Sequence, residues 1–239
     1  MLRSVNLTKR YEDGRLALDA FNLKVDPGEI YCLLGANGAG KTTAINLFLN
    51  FIKPTSGHAY VNEIDVAEHP LESKKYVSYI PENLVFYGNY TARQNLDFFT
   101  KLGGIRDRGK SDYYAVLRQV GLPERAFEQP MNKFTRAMRQ KVEIAIVMLR
   151  DTPAILLDEP TTGLDPKAAT ELMEILNQWR EREKAILMAT HDVFHTKEIA
   201  DRVSIMREGR KVLERTREEI EDEDLEALYL SYLSYLRDS

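Results

Sequence analysis

Gly35-Ala36-Asn37-Gly38-Ala39-Gly40-Lys41-Thr42-Thr43 completes the pattern G-x-x-x-x-G-K-[ST], and the apolar runs on either side of it decide how the chain folds. Upstream, Ile30-Tyr31-Cys32-Leu33-Leu34 reads as a short buried strand; downstream, Ala44-Ile45-Asn46-Leu47-Phe48-Leu49 has the apolar density of a helix packed on a sheet. Strand, glycine loop and helix in that order form a phosphate cradle. Glycines let backbone N–H groups converge without a Cβ in the way, and the new helix aims its positive end at the same point. Lys41 is then expected to reach the β- and γ-phosphates of a nucleotide, and Thr42 to offer its hydroxyl to Mg²⁺.

The whole chain sets the bounds around this loop. It has 239 residues, enough for one large domain or a domain with a substantial insertion. With 44% hydrophobic and 29% charged residues, it has the composition of a globular protein rather than a disordered one. No apolar run approaches the roughly 18 residues that cross a bilayer, and the start of the chain carries no secretory apolar segment. A cytoplasmic location is the expectation. The net charge of -4 argues against general nucleic-acid binding, which needs accumulated Lys and Arg. The single cysteine, Cys32, lies within the strand before the loop and reads as a small buried apolar residue, so no disulfide forms within the chain.

Ahead of the loop, alternation at Phe21, Leu23 and Val25 and a turn at Asp13-Gly14 predict antiparallel strands between Leu2 and Val25. Beyond it, a turn at Pro54-Thr55-Ser56-Gly57 leads to a strand at His58–Val61, and Val77–Ile80 is a strand stopped by Pro81. From Thr91 to Arg150 strand signals largely vanish. Leu96, Phe98, Phe99 and Leu102 indicate one helix, and Tyr113, Val116, Leu117 and Val120 another. A third, around Met138–Leu149, is apolar on nearly every side. Strands return at Ala154–Leu157 and Ala185–Ala189, separated by a helix with Asp165 as N-cap and Pro166 in its first turn. Val203–Met206 and Val212-Leu213 are strands joined by a turn at Glu208-Gly209. Leu225, Leu228, Tyr229, Tyr232, Leu233 and Leu236 form the apolar face of a terminal helix.

The expected fold is therefore α/β: a P-loop NTPase core with a mainly parallel central sheet, an antiparallel β subdomain and an α-helical insertion. Residues 1–90 and 151–215 would form the core, 91–150 the helical subdomain and 216–239 a C-terminal amphipathic helix.

Asp158 and Glu159 leave the strand Ile155-Leu156-Leu157 at its C-terminal end, where open α/β sheets bind ligands. Asp158 suits Mg²⁺, directly or through water. Glu159 is placed to polarise a water for in-line attack on a γ-phosphate. His191 follows the strand ending Ala189-Thr190 and would put an imidazole at the same edge, within reach of a γ-phosphate oxygen and the attacking water. His58, His69 and His195 read as ordinary surface or core residues.

With these residues in order, the chain resembles the ATP-binding subunit of ATP-binding-cassette transporters over nearly its whole length. The resemblance implies roles. Tyr11 looks like the aromatic that stacks on the base, Gly35 to Thr43 like the phosphate loop, and Asp158-Glu159 like the second acidic motif. Thr161-Thr162-Gly163-Leu164-Asp165 is similar to the loop through which two subunits communicate, with Asp165 at the nucleotide, and Thr190-His191-Asp192 to the switch histidine. Glu82, in Tyr79-Ile80-Pro81-Glu82-Asn83, stands where the family usually has a glutamine that contacts Mg²⁺ and the attacking water. It would offer a carboxylate oxygen instead, adding negative charge beside the metal and the phosphates.

The family's L-S-G-G-Q signature is Phe134-Thr135-Arg136-Ala137-Met138 here, with both glycines replaced. In the family this segment clamps the γ-phosphate held by the opposite subunit. Thr135 keeps the hydroxyl, Arg136 lies outside the clamp or supplies charge to it, and the Ala137 methyl is harmless only if φ there is negative.

The resemblance implies ATP and Mg²⁺ as cofactors, a second nucleotide-binding subunit (homodimer or heterodimer), separate transmembrane permease subunits, and attachment to the inner face of the cell membrane. The helical insertion and the Phe86-Tyr87-Gly88 segment are where the family docks its membrane partner. Export is favoured because Pro81-Glu82 and Met138-Arg139-Gln140 resemble export-type subunits, and the tail after Leu213 is shorter than the regulatory domain of some importers. An importer subunit is the next reading. A soluble cassette ATPase acting on DNA or ribosomes is less favoured, because such chains carry a long coiled coil or two cassettes. A non-hydrolysing interaction module is disfavoured by the complete set Lys41, Thr42, Asp158, Glu159 and His191.

Overall fold

A computed structural model describes residues 1–234. Two sheets organise it. The first is antiparallel, built from β1 (Leu2–Arg10), β2 (Leu16–Val25), β4 (Ser56–Val61) and β5 (Ile64–Asp65) in the order β2-β1-β4-β5. The second has six strands in the order β10-β9-β3-β8-β7-β6, with β3 Ile30–Leu34, β6 Val77–Ile80, β7 Ala154–Asp158, β8 Ala185–Thr190, β9 Arg202–Arg207 and β10 Arg210–Thr216. Every neighbouring pair in it is parallel except β9 and β10. The Glu208-Gly209 turn closes that hairpin with both residues at positive φ, the geometry whose twist suits adjacent strands.

All residues of β3, β7 and β8 are buried, which is why they read as continuous apolar runs rather than alternating ones. Alternation instead divides them between two cores. Ile30, Cys32 and Leu34 join the core shared with most of the helices, while Tyr31 and Leu33 join the one between the two sheets. The second core also buries Ala44, Ile45, Leu47 and Phe48 of helix α1 (Lys41–Phe48), so the helix leaving the glycine loop is clamped between the sheets.

A short α2 (Pro70–Ser73) precedes β6, and α3 (Ala92–Leu102), α4 (Lys110–Gln119) and α5 (Arg136–Arg150) fill the segment predicted to be helical. Thr91 and Gln94 cap α3 reciprocally. Along α5 only Arg139 is exposed. Asp165 caps α6 (Pro166–Glu181), accepting from Ala168 N at 2.9 Å. The remaining helices are α7 (Val193–Ile199), α8 (Arg217–Asp222) and α9 (Leu225–Ser234).

Local expectations failed at two places. The turn expected at Pro54–Gly57 gives way to β4 from Ser56, because pairing with β1 draws the chain into the sheet at Thr8↔Ser56. The single C-terminal helix is two, broken at Glu223-Asp224: Glu223 is extended, Arg215 donates to its carboxylate, and Lys197 donates to its carbonyl. Leu225 and Tyr229 of α9 are buried and Leu228 and Tyr232 half-buried, whereas the Leu233 and Leu236 side chains lie outside what is described. The two-residue β5 and the four-residue α2 are too short for periodicity to show.

Candidate functional site

Four loops meet at the C-terminal edge of the parallel strands, the edge at which such sheets bind ligands. The glycine loop leaves β3, Pro81-Glu82 leaves β6, Asp158-Glu159 ends β7, and Thr190-His191 ends β8. A cavity of about 350 Å³ lies over the glycine loop, bounded by Lys41, Thr42, Glu82, Glu159, Arg15 and Glu208.

The loop holds its shape through backbone neighbours from distant strands. Gly209 N donates to Ala39 O at 2.9 Å, and Asp19 N donates to Gly209 O at 2.9 Å. Gly40 takes φ 107, and a Cβ there would lie 2.5 Å from the Ala17 carbonyl oxygen, so only glycine fits. At Gly35, a Cβ would lie 2.7 Å from the Met206 carbonyl oxygen. Asn37 and Gly38 are exposed at the loop's tip, Ala39 is buried beneath it, and Thr43 is half-buried in the first turn of α1.

Lys41 is buried and folded across the loop, donating to Gly35 O at 2.6 Å and Ala36 O at 3.3 Å, with its ammonium 3.3 Å from Glu159 Oε1. That oxygen is buried and accepts no hydrogen bond, so the ammonium is its electrostatic counterpart. The other oxygen, Oε2, faces His191 Nδ1 at 2.7 Å, the His191 N–H at 3.3 Å and the Thr190 hydroxyl at 3.4 Å. An ionised Glu159 requires the hydrogen on Nδ1, which leaves Nε2 as the imidazole atom able to turn toward a ligand. Glu159 has φ 49, an uncommon conformation for a residue with a side chain, held by its N–H donating to Ala189 O at 2.8 Å.

Asp158 accepts from the Thr42 hydroxyl at 3.2 Å. Burial pushes its carboxyl above the usual range; Thr42 opposes this, and the charges of Glu159 and Glu82 add to it. Thr42 and Asp158 meet through their oxygens, and Glu82 borders the same cavity as Thr42; hard oxygens of this kind are the chemistry Mg²⁺ takes. Among the described residues no group of three or more His, Cys, Asp and Glu is placed to hold a metal ion by itself.

The other expected site residues lie elsewhere. The Tyr11 ring has two cations over it, the Arg15 guanidinium 4.8 Å and the Lys9 ammonium 5.2 Å from its centroid; Arg15, rather than Tyr11, borders the cavity. Thr135 caps α5 through Met138 N at 3.3 Å, and Arg136 and Ala137 are the first residues of that helix. Ala137 has no positive φ, so the methyl in place of glycine costs no backbone strain. None of these three borders the loop cavity of its own chain. Asp165 is committed to capping α6 and also lies away from that cavity.

Three contacts have no counterpart in the sequence reading. Gln140 of α5 donates to Pro160 O at 2.6 Å, tying the helix to the residue after Glu159. Asp192 accepts from the Thr161 hydroxyl at 3.1 Å and faces His195 Nδ1 at 2.5 Å, linking the segment after Glu159 to the His191 loop. Nothing in the sequence singles Gln140 out, because Arg136, Arg139, Lys141 and Glu143 also place polar side chains on α5. On the outer side of His191 a wider cavity of about 940 Å³ is lined by Thr162, Gly163, His191, Phe194, Asp224 and Glu226.

Residues 18–162 match the family described as ABC transporter. The chain is 34% identical to the bacitracin transport ATP-binding protein BcrA of Bacillus licheniformis, covering 98% of this chain and 74% of that protein. It is 31% identical to the Nod factor export ATP-binding protein I of Burkholderia orbicola (strain AU 1054), covering 87% of this chain and 68% of that one. The solved structure of an ATP-binding subunit of an ABC transporter superposes with a TM-score of 0.85 at 28% identity, over 97% of this chain and 98% of that one.

Proposed function

The chain belongs to the ABC transporter family as an ATP-binding subunit, and on that premise we propose that it hydrolyses ATP with Mg²⁺ to drive transport through separate membrane subunits. The observation that carries the reading is the meeting of Lys41, Thr42, Asp158, Glu159 and His191 at one sheet edge.

ATP would lie along the glycine loop, its phosphates taking the N–H groups of Gly38 to Thr43 and displacing the loop carbonyls from the Lys41 ammonium. Thr42, Asp158 and Glu82 would hold Mg²⁺, which when bound neutralises phosphate charge. Once Lys41 turns to phosphate, Glu159 Oε1 loses its counter-ion and becomes the oxygen available to accept a proton from water. His191 and Thr190 keep the other oxygen fixed. Tyr11 or Arg15 would cover the base.

Thr135 does not line the loop cavity of its own chain, which supports a phosphate contact made across a second subunit, and we infer a dimer with ATP between the two. Residues 91–150 would carry that signature between core segments 1–90 and 151–215, and Asp165 would act across the same interface. No described helix is long and apolar enough to cross a membrane. Attachment to the inner membrane face would therefore come from permease subunits, contacted through the exposed aromatics Tyr87, Tyr90 and Phe98. The direction favoured is export, supported by the relative whose name states it.

Affinity purification from membranes tests the reading. It predicts a membrane-spanning chain as stoichiometric partner and Mg²⁺-dependent ATP hydrolysis by the complex; a purified complex that turns over no ATP with Mg²⁺ would refute it.

A further inference from the structure

The residue that replaces the first signature glycine makes a contact within its own chain. Arg136 opens α5, and its guanidinium donates to Asn83 Oδ1 at 3.0 Å and to the carbonyl oxygen of Glu82. Residues 81–86 form neither helix nor strand, so this segment is not held by a ladder. A planar fork with its donors fixed relative to one another suits the purpose: it grips two consecutive residues at once and restricts the segment's rotation as well as its position.

Glu82 itself is exposed and borders the loop cavity with Lys41, Thr42 and Glu159. Its charge acts on both Asp158 and Tyr79. A flexible carboxylate so placed is repelled by Asp158 and Glu159 and has open solvent to turn into. Something must fix its backbone. Glutamine at this position would not meet that repulsion; glutamate does, and the arginine that grips its backbone stands where the family has glycine.

We propose that Arg136 is a positioning residue for the reaction of its own chain: by holding Glu82 and Asn83, it keeps the Glu82 carboxylate at the metal and attacking water. This rests on the reading of Glu82 as an oxygen donor there. It makes the two departures from the family pattern a matched pair.

A double-mutant cycle tests it in the full chain, with Arg136→Met, Glu82→Ala and both together. By the usual effect of removing an orienting partner, Arg136→Met should lower kcat about 10-fold and leave KM for ATP within about two-fold. In the Glu82→Ala background it should change nothing further. Arg136→Lys should recover part of the rate, and Asn83→Ala, which removes one acceptor, should reproduce a smaller loss. Mn²⁺ titration by electron paramagnetic resonance, with a non-hydrolysable ATP analogue, reads the same coupling without turnover: Arg136→Met should weaken Mn²⁺ about 10-fold only where Glu82 is present.

Independent effects of the two substitutions would overturn the proposal, as would a raised KM with unchanged kcat, the mark of a residue that binds nucleotide. Unchanged kcat and Mn²⁺ affinity in Glu82→Ala would remove Glu82 from the metal and Arg136 from this role while leaving the ATPase reading intact. A wild-type chain that binds no nucleotide would instead refute both.

Discussion

Gly38 and Gly40 lie two positions apart in the phosphate loop, both at positive φ, and alanine at each separates strain from collision. Gly38 has φ 84, and a Cβ there would meet nothing within 4 Å. Gly40 has φ 107, and its Cβ would meet the Ala17 carbonyl oxygen at 2.5 Å, Gly209 Cα at 3.3 Å and Met206 Cε at 3.4 Å. A left-handed conformation costs a residue with a Cβ about 1–2 kcal/mol, so Gly38→Ala should destabilise the protein by about that much.

Gly40→Ala carries the same strain and also forces the loop away from β2, a displacement of the size that overpacking makes at about 1–3 kcal/mol. The expected loss is therefore about 2–5 kcal/mol. Met206 Cε is a flexible terminus and can yield, whereas the Ala17 carbonyl is fixed in β2. Urea unfolding of the nucleotide-free variants, compared at a common slope, measures both. ATP affinity should fall further for Gly40→Ala, since Lys41 follows directly. Equal destabilisation by the two substitutions would refute the reasoning, because it would mean that the Ala17 contact does not confine the loop.

Burial pushes the Glu143 carboxyl of α5 from its ordinary 4.5 to about 7, against the charges of Arg136 and Arg139. The folded state thus holds this proton more tightly than the unfolded state, and stability is lost as pH rises from 4.5 to 7, by about 3 kcal/mol in full. Glu143→Gln should therefore stabilise the protein at pH 8 and much less near pH 5 in urea unfolding; a gain independent of pH would contradict this. Lys41→Ala should weaken ATP binding and, by leaving Glu159 without its ammonium, destabilise the protein by about 3–5 kcal/mol. Adding Glu159→Gln should restore much of that stability, and a Lys41→Ala variant as stable as wild type would show that the buried pair is not coupled.

The parts of the site legible in the sequence are those written in consecutive residues. The glycine loop, the carboxylate pair ending an apolar run and the histidine after the next strand each carry their own context, and the parallel sheet brings them together. Contacts made across the fold left little trace. Arg136 looked like a substitution in a phosphate clamp, and nothing local says that its guanidinium reaches Glu82 and Asn83 on another strand's exit. Lys41 looked free for phosphate, yet with no nucleotide its ammonium rests on its own loop and Glu159. Glu143 does not stand out inside a helix that reads as covered on nearly every side, because periodicity records which face is covered but not the cost of covering a carboxyl.

The most direct test of the account is Glu159→Gln, assayed together for single-turnover ATP hydrolysis, retained nucleotide and mass in solution. Loss of the group that accepts a proton from water should slow hydrolysis about 10²- to 10⁴-fold. ATP should stay bound, and the mass should double when ATP is added. Undiminished hydrolysis by a species that keeps its monomer mass in ATP would contradict both the role of Glu159 and the composite site built around the phosphate loop.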